Sequence, residues 1–314
     1  MAISAWPRRR LLAGAVVALG AVPLTLAQSN EKTLIAHRGA SAYAPEHTLA
    51  AYRLALEQGA DYVEQDLGVT RDGVLICLHD TSLERTTDVR RVFPGRFVEE
   101  RVAGGRLRQR WRVQDFTLSE IKRLDAGGWF GDEFAGVQIP TWQEAIDFIR
   151  GDAGLFPELK SPAEYDALGI DMVALVADTL RRNGLDMAGA DPTTPVILQS
   201  FDETSLRQLA EALPTLPRVF LIGARDPNAA ITNSRLREIA TFASGIGPAK
   251  AIVAAQPELV DRAHRLGLTV TPYTFRSNGT DRFPTVEAEM HHFLFTLGVD
   301  ALFTDNPDRF PRRP

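Results

Sequence analysis

From residue 31 onward the chain alternates short apolar runs of β type with segments of helical period, and that rhythm leaves few folds open. A strand–helix series of this kind builds a mostly parallel sheet, whose strands are covered on both faces. Nine runs can be counted, at 33–37, 61–67, 74–79, 154–159, 195–201, 218–223, 244–247, 268–273 and 300–304. Helical segments fall between them at 48–57, 141–148, 170–183, 203–212, 234–242, 257–266 and 285–297. A closed β/α barrel needs eight strands, so one run is surplus, and the short one near Ile246 is the expected outsider.

Two connections are too long for simple βα loops. The stretch at about 80–152 carries Trp111, Phe116, Trp129, Phe130 and Phe134, and reads as a small insertion after the third strand with its own packing. The other begins at residue 274. Long loops that follow barrel strands lie on the carboxyl face, where barrel enzymes place their chemistry.

The first 27 residues stand apart. Arg8, Arg9 and Arg10 precede an uncharged run at 11–27, and Thr25-Leu26-Ala27 offers small residues at a cleavage point, as in a secretory signal peptide. Gly14, Gly20 and Pro23 interrupt that run, which is shorter than the roughly 20 residues a membrane span requires. The expectation is export to the periplasm and cleavage, by the general secretory or twin-arginine route, with no stable membrane insertion afterwards. Taking away 27 residues and three positive charges leaves a chain of 287 residues, 28–314, with its net charge moved from −5 to −8. That acidity argues against a nonspecific nucleic-acid partner, and a single cysteine excludes an internal disulfide or a multi-cysteine metal site.

Polar residues at the ends of the apolar runs call for a reason. The first run ends in His37 followed by Arg38, the second in Glu64-Gln65-Asp66, the third in His79 and the fourth in Glu158-Leu159-Lys160. If these are neighbouring parallel strands, two histidines, three carboxylates and two cations converge on one mouth. Carboxylates without sulfur suit Ca²⁺ or Mg²⁺, histidines suit proton exchange near neutral pH, and Arg38 with Lys160 suits a phosphate. Metal-assisted phosphoester hydrolysis is the chemistry these residue types share.

The motifs Ile35-Ala36-His37-Arg38-Gly39-Ala40, Ala44-Pro45-Glu46-His47-Thr48, Glu64-Gln65-Asp66 and Leu78-His79-Asp80 occur in that order. With Pro157-Glu158-Leu159-Lys160, Gln199-Ser200-Phe201 and the tail from Gly298 to Pro307, they resemble the glycerophosphodiester phosphodiesterase family over nearly the whole mature chain. The long insertion is similar to that of the periplasmic branch. The resemblance implies a TIM-type (β/α)8 barrel that hydrolyses small glycerophosphodiesters to glycerol 3-phosphate and an alcohol. It implies His37 and His79 as catalytic acid and base, Glu64, Asp66 and Glu158 as ligands of a divalent metal, Ca²⁺ ahead of Mg²⁺, and Arg38 and Lys160 as phosphate contacts. Glu46 is then expected to touch the metal or to position Arg38.

Two positions depart from the family pattern. His47 stands where asparagine is common, as a cap substitute or a tuning change, and Tyr273 stands where many members have tryptophan. Tyr273 and Phe201 either wall the substrate pocket or pack the barrel. Two other functions stay open at this level. One is a phospholipase D-like or lysophospholipase D-like head-group hydrolase on the same barrel, and the other a noncatalytic phosphodiester-binding protein. Oligomeric state is not encoded in any of these motifs.

Overall fold

The computed structural model describes residues 31–101, 104–226, 230–280 and 282–312, so the leader expected at 1–27 lies outside the described residues. Along them run the strands β1 (Thr33–Ala36), β2 (Tyr62–Val69), β3 (Leu75–Cys77), β4 (Val98–Arg101), β5 (Leu107–Arg110), β6 (Gly154–Leu159), β7 (Leu198–Ser200), β8 (Arg218–Ile222), β9 (Gly245–Pro248), β10 (Thr269–Val270) and β11 (Ala301–Thr304). A parallel sheet joins eight of them in the order β10-β9-β8-β7-β6-β2-β1-β11, while β4 and β5 form a separate antiparallel pair. Its two ends meet where Asp300 N donates to Val270 O at 3.0 Å and Phe303 N to Pro272 O at 3.1 Å, which nearly closes an eight-stranded barrel. Helices alternate with the strands and start on side-chain caps, Thr48 before Leu49–Glu57, Asp171 before Met172–Asn183 and Asp202 before Glu203–Ala212.

Two strand assignments differ from the sequence expectation. The run at 74–79 is not a barrel strand, because β3 folds back antiparallel on β2, with Leu75 opposite Val69 and Cys77 opposite Leu67. The run near Ile246 takes the vacant place as β9, paired with β8 and β10. Its Gly245 and Gly247 face the barrel interior opposite Val219 and Leu221, and a Cβ on Gly247 would meet Leu221 Cδ2 at 2.6 Å. Glycine, which weakens a strand by its composition, is what this crowded interior admits.

The connection that follows β3 packs around its own buried set, including Leu83, Val89, Trp111, Val113, Phe116 and Ile121. Of its aromatics Trp111 and Phe116 are buried, whereas Trp129 is exposed and sits edge-on to Phe130. The arginines of the β4–β5 hairpin pair with acids: Arg108 and Arg110 with Glu84, and beyond β5 Arg112 with Asp115. Within the span 80–152, the helix Trp142–Ile149 belongs to the barrel, since Trp142, Ala145, Ile146 and Ile149 join the main core.

Inside the barrel, Tyr62, Phe156 and Phe303 meet edge to face, with ring centroids 5.9 and 5.1 Å apart, beside Ile35, Val219 and Leu221. Phe156 and Phe303 are fully buried and Tyr62 partly so; at roughly 1.5–3 kcal/mol for each fully buried side chain of this size, the layer is a firm floor. The next inward residue on β1, β2, β6 and β7 therefore points above the floor, into the carboxyl mouth.

Candidate active site

On β2 the residues above the floor are Glu64 and Asp66, and on β6 Glu158, with Lys160 one step past the strand. Strand register sets them side by side, because Asp66 is the partner of Glu158 and Glu158 of Gln199. One oxygen each from Glu64, Asp66 and Glu158 lies within 4.8 Å of the others, and all three residues are buried. Burial and the charge of Asp66 raise Glu64 well above the usual carboxylate range and push Glu158 up to about 8. Burial acts against Asp66 as well, yet Lys160, His47 and Arg38 hold it well below its ordinary value. Lys160 Nζ is 3.0 Å from Glu158, and Gln199 Nε2 donates to Glu64 Oε1 at 2.9 Å. Asp66 Oδ1 is buried and accepts no hydrogen bond among the described residues. Crowded carboxylates with an orphaned acceptor and no sulfur nearby fit a hard divalent cation.

The two histidines flank this cluster, each backed by a carboxylate and each carboxylate by an arginine. His37, just past β1, has Nδ1 2.6 Å from Asp305 Oδ1, and Arg276 Nε lies 3.5 Å from the same carboxylate. His79 arrives from the opposite direction. The antiparallel β3 lowers it onto the mouth, where Leu78 N donates to Asp66 O at 2.8 Å. Its Nδ1 is 2.7 Å from Asp80 Oδ1, and Asp80 Oδ2 accepts from Arg85 Nε at 2.6 Å. Burial of Asp305 and Asp80 is outweighed by their basic partners, so both stay ionised. An ionised carboxylate only accepts, which places a proton on each Nδ1 and turns each Nε2 the other way, that of His37 facing Thr274 Oγ1 at 3.5 Å and Glu64 Oε2 at 3.7 Å. Burial, then the charge of Arg38, lowers His37 below its ordinary 6.5 despite Asp305.

Arg38 adopts a left-handed backbone, φ 59°, that turns its N–H toward Glu64 Oε2 at 3.1 Å. Its side chain donates to Glu46 Oε1 at 3.0 Å and lies 3.4 Å from Asp66. Glu46 is thus a support for Arg38 and stands outside the carboxylate cluster. His47 is no cap, since Thr48 fills that role by accepting from Ala51 N. Buried and also left-handed at φ 55°, a conformation that histidine and asparagine tolerate, His47 bonds Asp66 Oδ2 through Nε2 at 2.7 Å and Tyr52 OH through Nδ1 at 3.0 Å.

His37, Arg38, Glu64, Asp66, His79, Glu158, Lys160, Gln199 and Arg276 line a cavity of about 230 Å³, together with Phe201, Tyr273, Thr274, Leu221 and Phe303. Tyr273 is fastened to the barrel by its hydroxyl on Ile222 O at 3.1 Å, and Phe201, 45% exposed, stands edge-on to it at 5.9 Å on the rim. All the site residues expected from the sequence therefore meet here, with Glu46 one step back. Asp80, Arg85, Gln199, Arg276 and Asp305 were not among them. The strand-end rule, carried on to β7 and β11, would have reached Gln199 and Asp305.

Hard-cation ligands beside imidazoles and fixed positive charge suit one class of protein, the phosphodiester hydrolases that work with a divalent metal. Residues 37–309 match the model of the glycerophosphoryl diester phosphodiesterase family. The chain belongs to that family and is an enzyme of phosphodiester hydrolysis. A glycerophosphodiester phosphodiesterase of Bacillus subtilis (strain 168) is 35% identical over 284 residues, which cover 88% of this chain and 84% of the relative. One from Haemophilus influenzae is 30% identical, covering 89% and 88%. The crystal structure of a glycerophosphodiester phosphodiesterase from Agrobacterium tumefaciens superposes with a TM-score of 0.62 at 30% identity, over 89% of this chain and 98% of that one. An Oleispira antarctica phosphodiesterase, solved with the product sn-glycerol-3-phosphate, gives 0.68 at 27% identity, over 89% and 95%.

Proposed function

We propose that this chain is an exported, calcium-dependent glycerophosphodiester phosphodiesterase that releases glycerol 3-phosphate and an alcohol in the periplasm. The convergence of Glu64, Asp66 and Glu158 within 4.8 Å, between Arg38 and Lys160, carries the reading. Those carboxylates would hold the cation, and three of them on rigid strands favour Ca²⁺ over Mg²⁺, which keeps its waters and takes fewer protein ligands. When bound, the metal supplies positive charge that polarises a phosphoryl oxygen. Arg38 and Lys160 neutralise the remaining phosphate charge and orient the phosphorus. His37, neutral and with its Nδ1 proton directed at Asp305, accepts through Nε2 the proton of the substrate's own glycerol hydroxyl as that oxygen attacks phosphorus. As the new P–O bond forms and the old one breaks, His79, carrying a second proton on Nε2, delivers it to the departing alcohol oxygen; water then opens the cyclic phosphate to glycerol 3-phosphate, with the two histidines exchanging roles so that both return to their starting states. Phe201 and Tyr273 form the wall against which the glycerol or the alcohol rests. The product seen in the Oleispira antarctica relative supports glycerol 3-phosphate as the retained half.

A head-group panel tests this directly: glycerophosphocholine, glycerophosphoethanolamine, glycerophosphoglycerol and lysophosphatidylcholine, assayed after chelation and after Ca²⁺ or Mg²⁺ is restored. Metal-dependent release of glycerol 3-phosphate is expected from the unacylated substrates. Turnover of lysophosphatidylcholine alone would point to the phospholipase D-like alternative, and no turnover at all to a binding protein. Export is checked separately by N-terminal sequencing of the periplasmic protein, which should begin at Gln28.

A further inference from the structure

We propose that Arg85 is a positioning residue that sets proton donation and phosphate binding together, a role that rests on the hydrolytic reading above. Its Nε donates to Asp80 Oδ2 at 2.6 Å, while its two terminal nitrogens reach the two oxygens of Glu46 at 2.8 and 2.7 Å. One planar guanidinium thus spends both of its edges on two different carboxylates. Behind one stands His79, 2.7 Å from Asp80, and behind the other Arg38, 3.0 Å from Glu46. Arg85 itself does not line the cavity, so its influence on a substrate passes through these two pairs.

The arginine is in turn held by the insertion. Leu83, fully buried, donates its N–H to Trp111 O at 2.9 Å, Val113 N donates to Thr81 O at 3.1 Å, and Thr87 Oγ1 closes on Leu83 O at 2.7 Å. The loop that carries Arg85 is therefore part of the insertion's packed core. Without Arg85, Asp80 keeps only the imidazole it is meant to steer, and the His79 ring gains freedom to turn. Glu46 keeps a single bond to Arg38, so its carboxylate gains freedom to turn and holds that guanidinium less firmly. Misplacement of a reacting group by about 1 Å is enough to cost on the order of 10²-fold in rate.

A purely structural ion pair, clamping the insertion to the barrel, would have the same contacts, so the test must separate the two. Arg85→Gln is assayed beside wild type on glycerophosphocholine, whose alkoxide leaving group needs a proton, and on a glycerol p-nitrophenyl phosphodiester, whose leaving group does not. Arg85→Gln is expected to lower kcat on the alkyl ester about 10- to 100-fold, to lose far less on the aryl ester, and to raise KM on both. Asp80→Asn should reproduce only the leaving-group dependence, and Glu46→Gln only the change in KM. In the double variant Arg85→Gln/Asp80→Asn, no further loss of kcat on the alkyl ester is expected. Equal losses of kcat on both esters, or full additivity with Asp80→Asn, would overturn the proposal while leaving the hydrolytic reading in place. Wild type inactive on both esters would overturn both. Should Arg85→Gln fail to fold, Arg85→Lys carries the test. Its ammonium retains the charge but lacks the fork, and the same leaving-group dependence is expected at smaller size.

Discussion

The two halves of the active site solve one problem by different means. His37 and Asp305 grow from the ends of β1 and β11, adjacent barrel strands, and Arg276 from the loop after β10; His37 is only 7% exposed, although Arg276 is as open as Arg85. His79, Asp80 and Arg85 belong to the excursion beyond β3, with side chains 27 to 39% exposed. Each set is an imidazole on a carboxylate on an arginine. In the barrel half the geometry comes from backbone hydrogen bonding that the fold requires anyway. In the insertion half it comes from side chains, Arg85 above all, and has to be held by a separate core.

Removing the rings themselves is the strongest way to sharpen that contrast. His37→Ala and His79→Ala are each expected to lower kcat on alkyl esters about 10²- to 10⁴-fold in steady-state assays. On a p-nitrophenyl ester the His79→Ala loss should shrink and the His37→Ala loss persist. The reverse pattern would exchange the roles assigned to the two halves. Metal removal comes next in size. All the carboxylates that would hold a cation stand on β2 and β6, so chelation should lower the unfolding midpoint. With Ca²⁺ at 100 times its Kd the expected stabilisation is about 2.7 kcal/mol. In hydrogen exchange the loss should appear in β2 and β6 while amides around Trp111 stay protected; equal deprotection of both regions would mean that the halves are not mechanically separate.

Smaller effects follow from the carboxylates behind the rings. Asp305→Asn and Asp80→Asn are each expected to cost about 10- to 100-fold in kcat/KM. Because the Asp305 side chain is the more enclosed of the two, its variant should also lower the melting temperature, whereas Asp80→Asn should leave it nearly unchanged. The smallest expectation concerns a histidine outside both halves. His264 Nε2 lies 2.8 Å from Asp300 at the amino end of the barrel, and that hydrogen bond raises its pKa above 6.5 against a smaller effect of burial. A pKa raised by folding adds stability that is complete below about pH 6.5 and fades as pH climbs through the raised value. The stability difference between wild type and His264→Gln should therefore be larger at pH 6 than at pH 8.5, by less than about 1 kcal/mol for so accessible a pair. Activity should not follow it.

The same contrast explains what could be read from the residues in advance. Glu64, Asp66, Glu158 and His37 announce themselves because a polar side chain closing an apolar strand is costly without a purpose, and strand periodicity places it. The barrel itself was legible from the alternation of runs and helices, while the identity of its members was not. β3 and β9 exchanged places because an apolar run looks the same in a hairpin as in a barrel, and because inward glycines hide a strand whose shape is dictated by its neighbours. Arg85 lies at the far limit of that kind of reading. Its partners Glu46 and Asp80 are 39 and 5 residues away, and no local pattern marks which of the insertion's arginines turns inward. His47 is similar, for only the fold shows that it steers Asp66.

The glycines of β9 also decide how this pocket is able to change. With Gly245 and Gly247 bare, β8 fills the space through Val219 and Leu221, and bulk added at Gly247 collides with Leu221. A side chain in β9 is therefore accommodated only where Leu221, itself a lining residue, gives way. Any drift toward larger or differently shaped head groups falls to the uncharged lining residues, Leu221, Phe201, Tyr273, Phe303, Thr274 and Gln199.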